Sequence, residues 1–147
     1  MTEYKFLIEN LHKSFGEKKV LKGVSLKVEK GLSLVIVGGS GVGKSVFLKT
    51  LIGLIRPDSG KVIVDSVDLF SLKEEELNEF RKKFGMCFQE GALFDSMTVY
   101  ENIAFPLIRH KILPKDKIKE RVMECLELVK LKGVENKFPS QLSGGMR

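Results

Sequence analysis

Residues 38–45 constrain the fold of this chain more than any other feature. They fit the pattern G-x-x-x-x-G-K-[ST], in which a glycine-rich loop between a strand and a helix binds phosphate groups. The run before them, residues 32–37, is apolar and rich in β-branched side chains, so it predicts a strand buried on both faces of a parallel sheet. The loop itself consists of Gly38, Gly39, Ser40, Gly41, Val42, Gly43, Lys44 and Ser45.

The segment after the loop predicts a helix, because apolar residues recur there at helical spacing. Such a helix turns backbone N–H groups and the positive end of its dipole toward an anion. Lys44 would then reach the β- and γ-phosphates of a nucleotide, and the Ser45 hydroxyl would bind Mg²⁺. A simple glycine-rich turn is the alternative, but the flanking patterns favour nucleoside triphosphate binding. The predicted apolar stripe consists of Phe47, Leu48, Leu51, Ile52 and Ile55.

The composition is that of an ordinary globular protein and restricts function little. The chain has 147 residues, of which 43% are hydrophobic and 30% charged. Its net charge of +6 comes from basic residues interleaved with acidic ones, so we interpret them as a solvated surface. Neither a membrane-spanning run nor a signal peptide is evident in the sequence, which predicts a cytoplasmic chain. Cys87 and Cys125 lie among apolar neighbours and are expected to be buried free thiols.

Strands predominate in the predicted structure of the first ninety residues. A polar connection carrying Phe15 joins the first two strands, and this ring either caps a small apolar cluster or offers a stacking surface for a base. Residues 56–60 predict a turn, and a helix is expected from Ser71 to about Lys83. The predicted strands are 5–11, 20–28, 61–65 and a buried strand at 84–88, with 68–70 as an extension of the sheet.

Helices predominate in the rest of the chain. Thr98 and Glu101 are spaced as a capping box, which predicts a helix start, and Pro106 is expected to end or kink that helix. A second helix is predicted near 116–130, followed by a polar linker at 136–141. The apolar face of this second helix would contain Ile118, Val122, Cys125, Leu126 and Val129.

A second glycine motif, Leu142-Ser143-Gly144-Gly145, stands near the end of the chain. Alone it is compatible with a flexible turn. Together with the phosphate loop, it makes the sequence resemble the ATP-binding subunit of an ABC transporter, from the N-terminus to the signature motif of that family. The resemblance implies that the loop is a Walker A motif, with the Val46 backbone N–H as a further phosphate ligand.

The same resemblance assigns roles to three other places. Phe15 stands where the family has an aromatic residue that stacks on adenine. Gln89 corresponds to the Q-loop glutamine, an accessory residue that contacts Mg²⁺ and the region of the attacking water. Leu142, Ser143, Gly144 and Gly145 correspond to the signature motif, which would grip ATP held by a second nucleotide-binding subunit. Gly39 and the pair Val46-Phe47 depart from the commoner family residues without removing a phosphate ligand.

The implied fold is α/β, an incomplete P-loop NTPase core with an antiparallel β subdomain and a helical subdomain. The expected division is 1–89 for the β subdomain and P-loop core, and 90–147 for the helical subdomain. The family's C-terminal half, with its Mg²⁺-binding aspartate and catalytic glutamate, has no counterpart in these residues. We therefore expect the chain to bind ATP without hydrolysing it, and we assign no catalytic residue.

A narrower resemblance concerns the transported substrate. Residues 89–94, residues 102–107 and Met146 look like the bacterial subgroup that traffics phospholipids and confers solvent tolerance. The implied partners are a second nucleotide-binding domain and a membrane permease, which would hold the chain at the inner face of the cell membrane, with no nucleic acid expected. A soluble ABC-type ATPase acting on DNA or ribosomes is the alternative, and a small-molecule kinase would leave the second glycine motif unexplained.

Overall fold

The computed structural model describes residues 3–89 and 91–147. The chain forms two compact units, of which the first ends at Gly85 and the second comprises Met86–Arg147. The first unit contains the sheet and two helices, and the second is helical. Each unit has its own cluster of buried apolar side chains.

A four-stranded antiparallel sheet with the order β2-β1-β3-β4 forms the framework of the first unit. The first two strands form a long hairpin whose last pair is Phe15 with Lys18, so the turn contains only Gly16 and Glu17. The strands expected at 5–11, 20–28 and 61–65 are therefore confirmed, and the first two are longer than their apolar patterns. The strands are β1 (Tyr4–Phe15), β2 (Lys18–Glu29), β3 (Ser59–Val64) and β4 (Val67–Asp68).

The core of this unit lies where inward side chains of the sheet meet two short helices. These are α1 (Lys44–Leu51), which follows the glycine loop, and α2 (Glu74–Arg81). Both were predicted, but α2 begins later than Ser71, because that residue lies in a 3-10 turn where its hydroxyl donates to the Asp68 carbonyl at 2.8 Å. The buried apolar residues are Ile8, Leu11, Leu21, Phe47, Leu51, Val62, Val64, Leu69, Leu77 and Phe80.

The buried strands predicted at 32–37 and 84–88 are wrong. Neither segment is a strand, and Leu32, Val35 and Val37 are 64%, 80% and 89% exposed. A strand needs lateral hydrogen bonds from neighbouring strands, and in the described part of the chain no strand pairs with either segment. The prediction that both thiols are buried is also wrong, since Cys87 is exposed and Cys125 is only half-buried.

The second unit is built on two helices, α3 (Val99–Arg109) and α4 (Lys115–Leu128). Helix α3 continues through Pro106 to Arg109, so this proline does not end it; near the C-terminus the ring removes a single helical hydrogen bond. The segment expected as a linker contains a 3-10 turn at Pro139–Gln141 with Pro139 buried. The core consists of Val99, Ala104, Ile118, Val122, Leu126, Val134 and Leu142.

Helix α4 confirms the predicted apolar face over most of its length. Ile118, Val122 and Leu126 are buried, whereas Val129 lies just beyond the helix and is 63% exposed. No helix among the described residues has the length and apolarity required to cross a bilayer.

The capping box predicted at the start of α3 is present. The Thr98 hydroxyl accepts from the Glu101 backbone N–H at 3.2 Å, and the Glu101 carboxylate accepts from the Thr98 N–H at 2.7 Å. The Thr98 hydroxyl also donates to the Glu101 carboxylate at 2.9 Å, and the two bonds that the carboxylate accepts, from the Thr98 backbone and hydroxyl, lower the pKa of Glu101. Because folding favours the ionised carboxylate, Glu101 stabilises the folded state. This stabilisation is complete above the pKa of Glu101 in the unfolded chain and is lost as the pH falls through its pKa in the folded chain.

We expect Glu101→Gln to lower the thermal unfolding temperature at neutral pH, and we expect the difference from wild type to disappear in acid. Scanning calorimetry across pH measures this. Glu120→Gln is the matched control, because Glu120 bonds only the exposed Lys117 side chain on α4. A Glu101→Gln deficit that stays constant down to the most acidic pH would contradict the account.

Candidate functional site

The conformation of the glycine loop is imposed by the residues beneath it. Gly43, which precedes α1, has φ 104° and ψ 5°. A Cβ atom at this position would lie 2.8 Å from Val20 Cγ1 and 3.5 Å from Leu21 Cδ2, so β2 leaves no room for a side chain. Gly41 also has positive φ, at 76°. The loop therefore packs directly on the hairpin, in a path that glycine permits.

Lys44 folds back over the loop. Its Nζ donates to the carbonyl oxygens of Gly38 at 2.7 Å and Gly39 at 2.5 Å. These bonds place a positive charge at the opening of the loop, next to the free N–H groups that begin α1. The arrangement is suited to an anion with several oxygens, which would accept hydrogen bonds from both the Lys44 ammonium and the backbone N–H groups.

Helix α1 anchors the loop through its opposite face. Phe47 and Leu51 are buried in the core, and the Thr50 hydroxyl, fully buried, donates to the Val46 carbonyl at 2.8 Å. Ser45 lies in the first turn with its side chain exposed. Leu48 and Ile52 were placed on the predicted apolar stripe, but Leu48 is 43% exposed and the helix ends at Leu51, before Ile52.

Phe15 stands on the same hairpin that supports the loop. It is the last residue of β1 and is 51% exposed, with the Lys13 ammonium 5.4 Å from its ring centroid. Lys13 pairs across the hairpin with Leu21, the β2 residue that packs beneath Gly43. The glycine loop and the exposed ring thus lie at adjacent positions of one hairpin.

The second glycine motif lies in the second unit and is anchored by its first residue. Leu142 is 8% exposed and packs in the core with α3 and α4. The Ser143 carbonyl accepts from the Met146 and Arg147 N–H groups at 3.0 and 3.2 Å, which forms a helix-like turn. A Cβ atom at Gly144 or Gly145 would meet no atom within 4 Å, so these glycines present open backbone on the surface.

Gln89 and Gly144 line one cavity of the second unit, with a volume of about 680 Å³. Gly91, Asp95 and Arg147 also line it. The side chain of Gln89 is exposed, and the Gly91 N–H donates to the Phe88 carbonyl at 2.9 Å. The structure therefore brings the predicted Q-loop and signature residues to one concave surface.

An apolar groove of about 310 Å³ runs along α3 of the same unit. Phe105 and Ile108 are 40% and 56% exposed in it, and the Phe105 ring lies 5.1 Å from that of Phe94. Glu101 and Arg109 supply its charged rim. Large apolar side chains exposed together in a groove are typical of a protein interaction site.

Metal-binding chemistry is limited within the described residues. No group of three or more His, Cys, Asp or Glu side chains there could hold a metal ion. Mg²⁺ does not require such a group, because it retains waters and takes most of its other ligands from nucleotide phosphates. One exposed hydroxyl at the loop, that of Ser45, fits this requirement.

Comparison with known proteins identifies the family. A family model described as ABC transporter matches residues 21–147. The Mycobacterium leprae protein named "Probable ribonucleotide transport ATP-binding protein mkl" is 48% identical over 140 residues, which are 95% of this chain and 40% of that protein. "Intermembrane phospholipid transport system ATP-binding protein MlaF" of Haemophilus influenzae is 40% identical over 139 residues, covering 95% of this chain and 53% of that protein.

Solved structures of ATP-binding cassettes also match this chain. The dimeric ATP-binding cassette MJ0796 in a post-hydrolysis state, bound to ADP and Pi, superposes with a TM-score of 0.86 at 33% identity, over 96% of this chain and 64% of that one. The likeness to this cassette confirms the predicted fold class, an α/β P-loop NTPase fragment. The chain belongs to the ABC transporter family, as its two glycine motifs predicted. It spans about half the length or less of these two curated relatives.

Two residues beside the predicted site were missed by sequence reasoning. Asp58 was interpreted only as part of a turn and Lys13 was assigned to no element, yet they form an ion pair with Nζ and Oδ1 2.9 Å apart, next to Phe15. They are separated by 45 positions in sequence, and the spacing of neighbouring residues carries no signal of such a contact.

Proposed function

We propose that this chain is the ATP-binding part of an ABC transporter subunit, which couples ATP binding and hydrolysis to transport. The observation that carries the proposal is the glycine loop, with Gly43 packed on β2 and the Lys44 ammonium held over the carbonyls of Gly38 and Gly39. Family membership supports it, since the matched relatives are named as ATP-binding proteins of transport systems.

In this proposal the first unit binds the nucleotide. The loop from Gly38 to Ser45, with the Val46 N–H, receives the phosphates, and Phe15 stacks on the adenine. Ser45 would hold Mg²⁺ together with the phosphates, and Gln89 keeps the accessory role toward Mg²⁺ that its correspondence to the Q-loop implies. Bound Mg²⁺ would neutralise charge on the β- and γ-phosphates. The site residues described here bind and orient ATP, and no general base is assigned among them.

The second unit would contribute residues to the ATP site of a partner subunit. Ser143, Gly144 and Gly145 present backbone and a hydroxyl with no neighbouring atom filling the space beside the glycines. We propose that they contact the γ-phosphate of ATP held by a second nucleotide-binding domain. A dimeric cassette among the similar structures supports this arrangement. Since such a site needs both subunits, ATP binding would favour closure of the dimer.

The groove along α3 is the proposed permease contact. Its exposed apolar residues and charged rim suit a short helix from a membrane subunit. The chain would then be a peripheral protein at the inner face of the cell membrane. A lipid or another hydrophobic compound is the proposed transported substrate, supported by the relative named for phospholipid transport.

The transporter role is tested by Ile108→Asp, which replaces an exposed apolar residue that lines the groove. We expect it to weaken association with the permease by about thirtyfold, because an unpaired charge would replace a buried apolar contact. Co-purification from cells that produce both subunits measures this. Leu128→Asp on α4 is the matched control, since Leu128 is 76% exposed outside the groove. Equal retention of the permease by both variants would contradict the assignment of the groove.

A further inference from the structure

Asp58 contacts three consecutive residues at the end of β1. Its backbone N–H donates to the His12 carbonyl at 2.9 Å. Its carboxylate accepts from the Lys13 ammonium at 2.9 Å and from the Ser14 backbone N–H at 2.6 Å. These bonds lower the pKa of Asp58, chiefly through the Lys13 side chain, so the carboxylate is charged at neutral pH.

The position of Asp58 relative to the sheet explains why these bonds matter. Pairing of β1 with β3 ends at His12 and Ser59, three residues before Phe15. The pairing of β1 with β2 also shifts register between Lys13 and Ser14. The end of β1 therefore has a strand neighbour on one side only, and on the other side the Asp58 carboxylate supplies the missing acceptor.

The same contacts extend to the ring of Phe15. The Lys13 ammonium that pairs with Asp58 lies 5.4 Å from the Phe15 centroid, within cation–π range. The Lys13 side chain is only 18% exposed, although Phe15 is 51% exposed. The ammonium is thus fixed over the ring, and the exposed part of the ring remains accessible to a base.

We propose that Asp58 is a positioning residue for the nucleotide base, which acts through Lys13 and Ser14 to fix the orientation of the Phe15 ring. This inference rests on the proposed function, because Phe15 must first be the stacking residue. Asp58 would raise the affinity for adenine nucleotides by improving the contact between Phe15 and the base, and it would not affect binding of the phosphates. A pre-oriented ring loses less conformational freedom on binding than a mobile one, and the affinity gain comes from that difference.

A single-tryptophan reporter separates this role from a purely structural one. The sequence contains no tryptophan, so Phe15→Trp introduces one fluorophore at the stacking position. The reporter chain is titrated with ATP by fluorescence, and with inorganic tripolyphosphate by calorimetry. With Asp58→Ala added, we expect ATP affinity to fall about fivefold to tenfold and tripolyphosphate affinity to change by less than about twofold.

Asp65→Ala in the same reporter is the matched control. Asp65 bonds the other end of β1, with its carboxylate 2.8 Å from Lys5 Nζ and its N–H donating to the Lys5 carbonyl at 3.2 Å. We expect it to leave the affinities for both ligands unchanged. Should Asp58→Ala not fold, Lys13→Met removes the ammonium and keeps the bond to Ser14, with an expected loss of about threefold for ATP alone.

The outcomes are distinguishable. Equal weakening for ATP and tripolyphosphate, or unchanged ATP affinity, would overturn the positioning role of Asp58. A reporter with Asp58 intact that binds tripolyphosphate as tightly as ATP would overturn the stacking role of Phe15 instead. Failure to bind either ligand would count against the phosphate site itself.

Discussion

Replacing Lys44 by alanine is expected to weaken Mg-ATP binding by roughly thirtyfold to several thousandfold. Removing one partner of a charged, hydrogen-bonded pair costs about 2–5 kcal/mol, and each 1.4 kcal/mol is a factor of ten. The Lys44 ammonium lies on the carbonyls of Gly38 and Gly39, at the opening of the loop, where phosphate oxygens would arrive. Alanine removes both the charge and the two hydrogen bonds to these carbonyls.

Lys49→Ala is the matched control for this variant. Lys49 is also on α1 but lies in its last turn, away from the loop. Equilibrium titration of the two variants with Mg-ATP compares the loss of a lysine at each end of one helix. Wild-type affinity in Lys44→Ala, or an equal loss in Lys49→Ala, would contradict the role assigned to Lys44.

Replacing Gly43 by alanine is expected both to destabilise the fold and to abolish ATP binding. The backbone has φ 104°, and the new Cβ would lie 2.8 Å from Val20 Cγ1, so the loop or β2 must move. Strain of this kind costs about 1–3 kcal/mol. Displacing the loop would also misdirect the N–H groups that begin α1, so binding should suffer more than stability.

Gly144→Ala is the corresponding control for stability, because a Cβ there would meet no atom within 4 Å. Denaturant unfolding and Mg-ATP titration of both variants measure the two effects. The expected order is a clear stability loss for Gly43→Ala and an unfolding midpoint near that of wild type for Gly144→Ala. Indistinguishable unfolding curves and ATP affinities for Gly43→Ala and wild type would show that the loop is not constrained as described.

The sequence predicted the features that depend on neighbouring residues. The hairpin follows from alternation in β1 and β2, α3 from the Thr98–Glu101 box, and α4 from its apolar period. The glycine loop was predictable for the same reason, because its pattern specifies a local backbone path. Family membership followed from the two glycine motifs, which occur in the order that the family has them.

Features that depend on distant residues were not predictable in this way. Residues 32–37 and 84–88 have the composition of buried strands, but composition supplies no lateral hydrogen-bond partner, and both remain outside the sheet. The contact of Asp58 with Lys13 and Ser14 joins a turn to a strand end 44 or 45 residues away. The steric reason for Gly43, namely Val20 beneath it, likewise appears only in three dimensions.

Calorimetric titration of the wild-type chain with Mg-ATP shows whether the glycine loop on this hairpin binds ATP. We expect saturable binding at a single site per chain, with an affinity that falls at least about thirtyfold when Lys44 is alanine. A chain that circular dichroism shows to be folded, and that takes up no Mg-ATP, would contradict it.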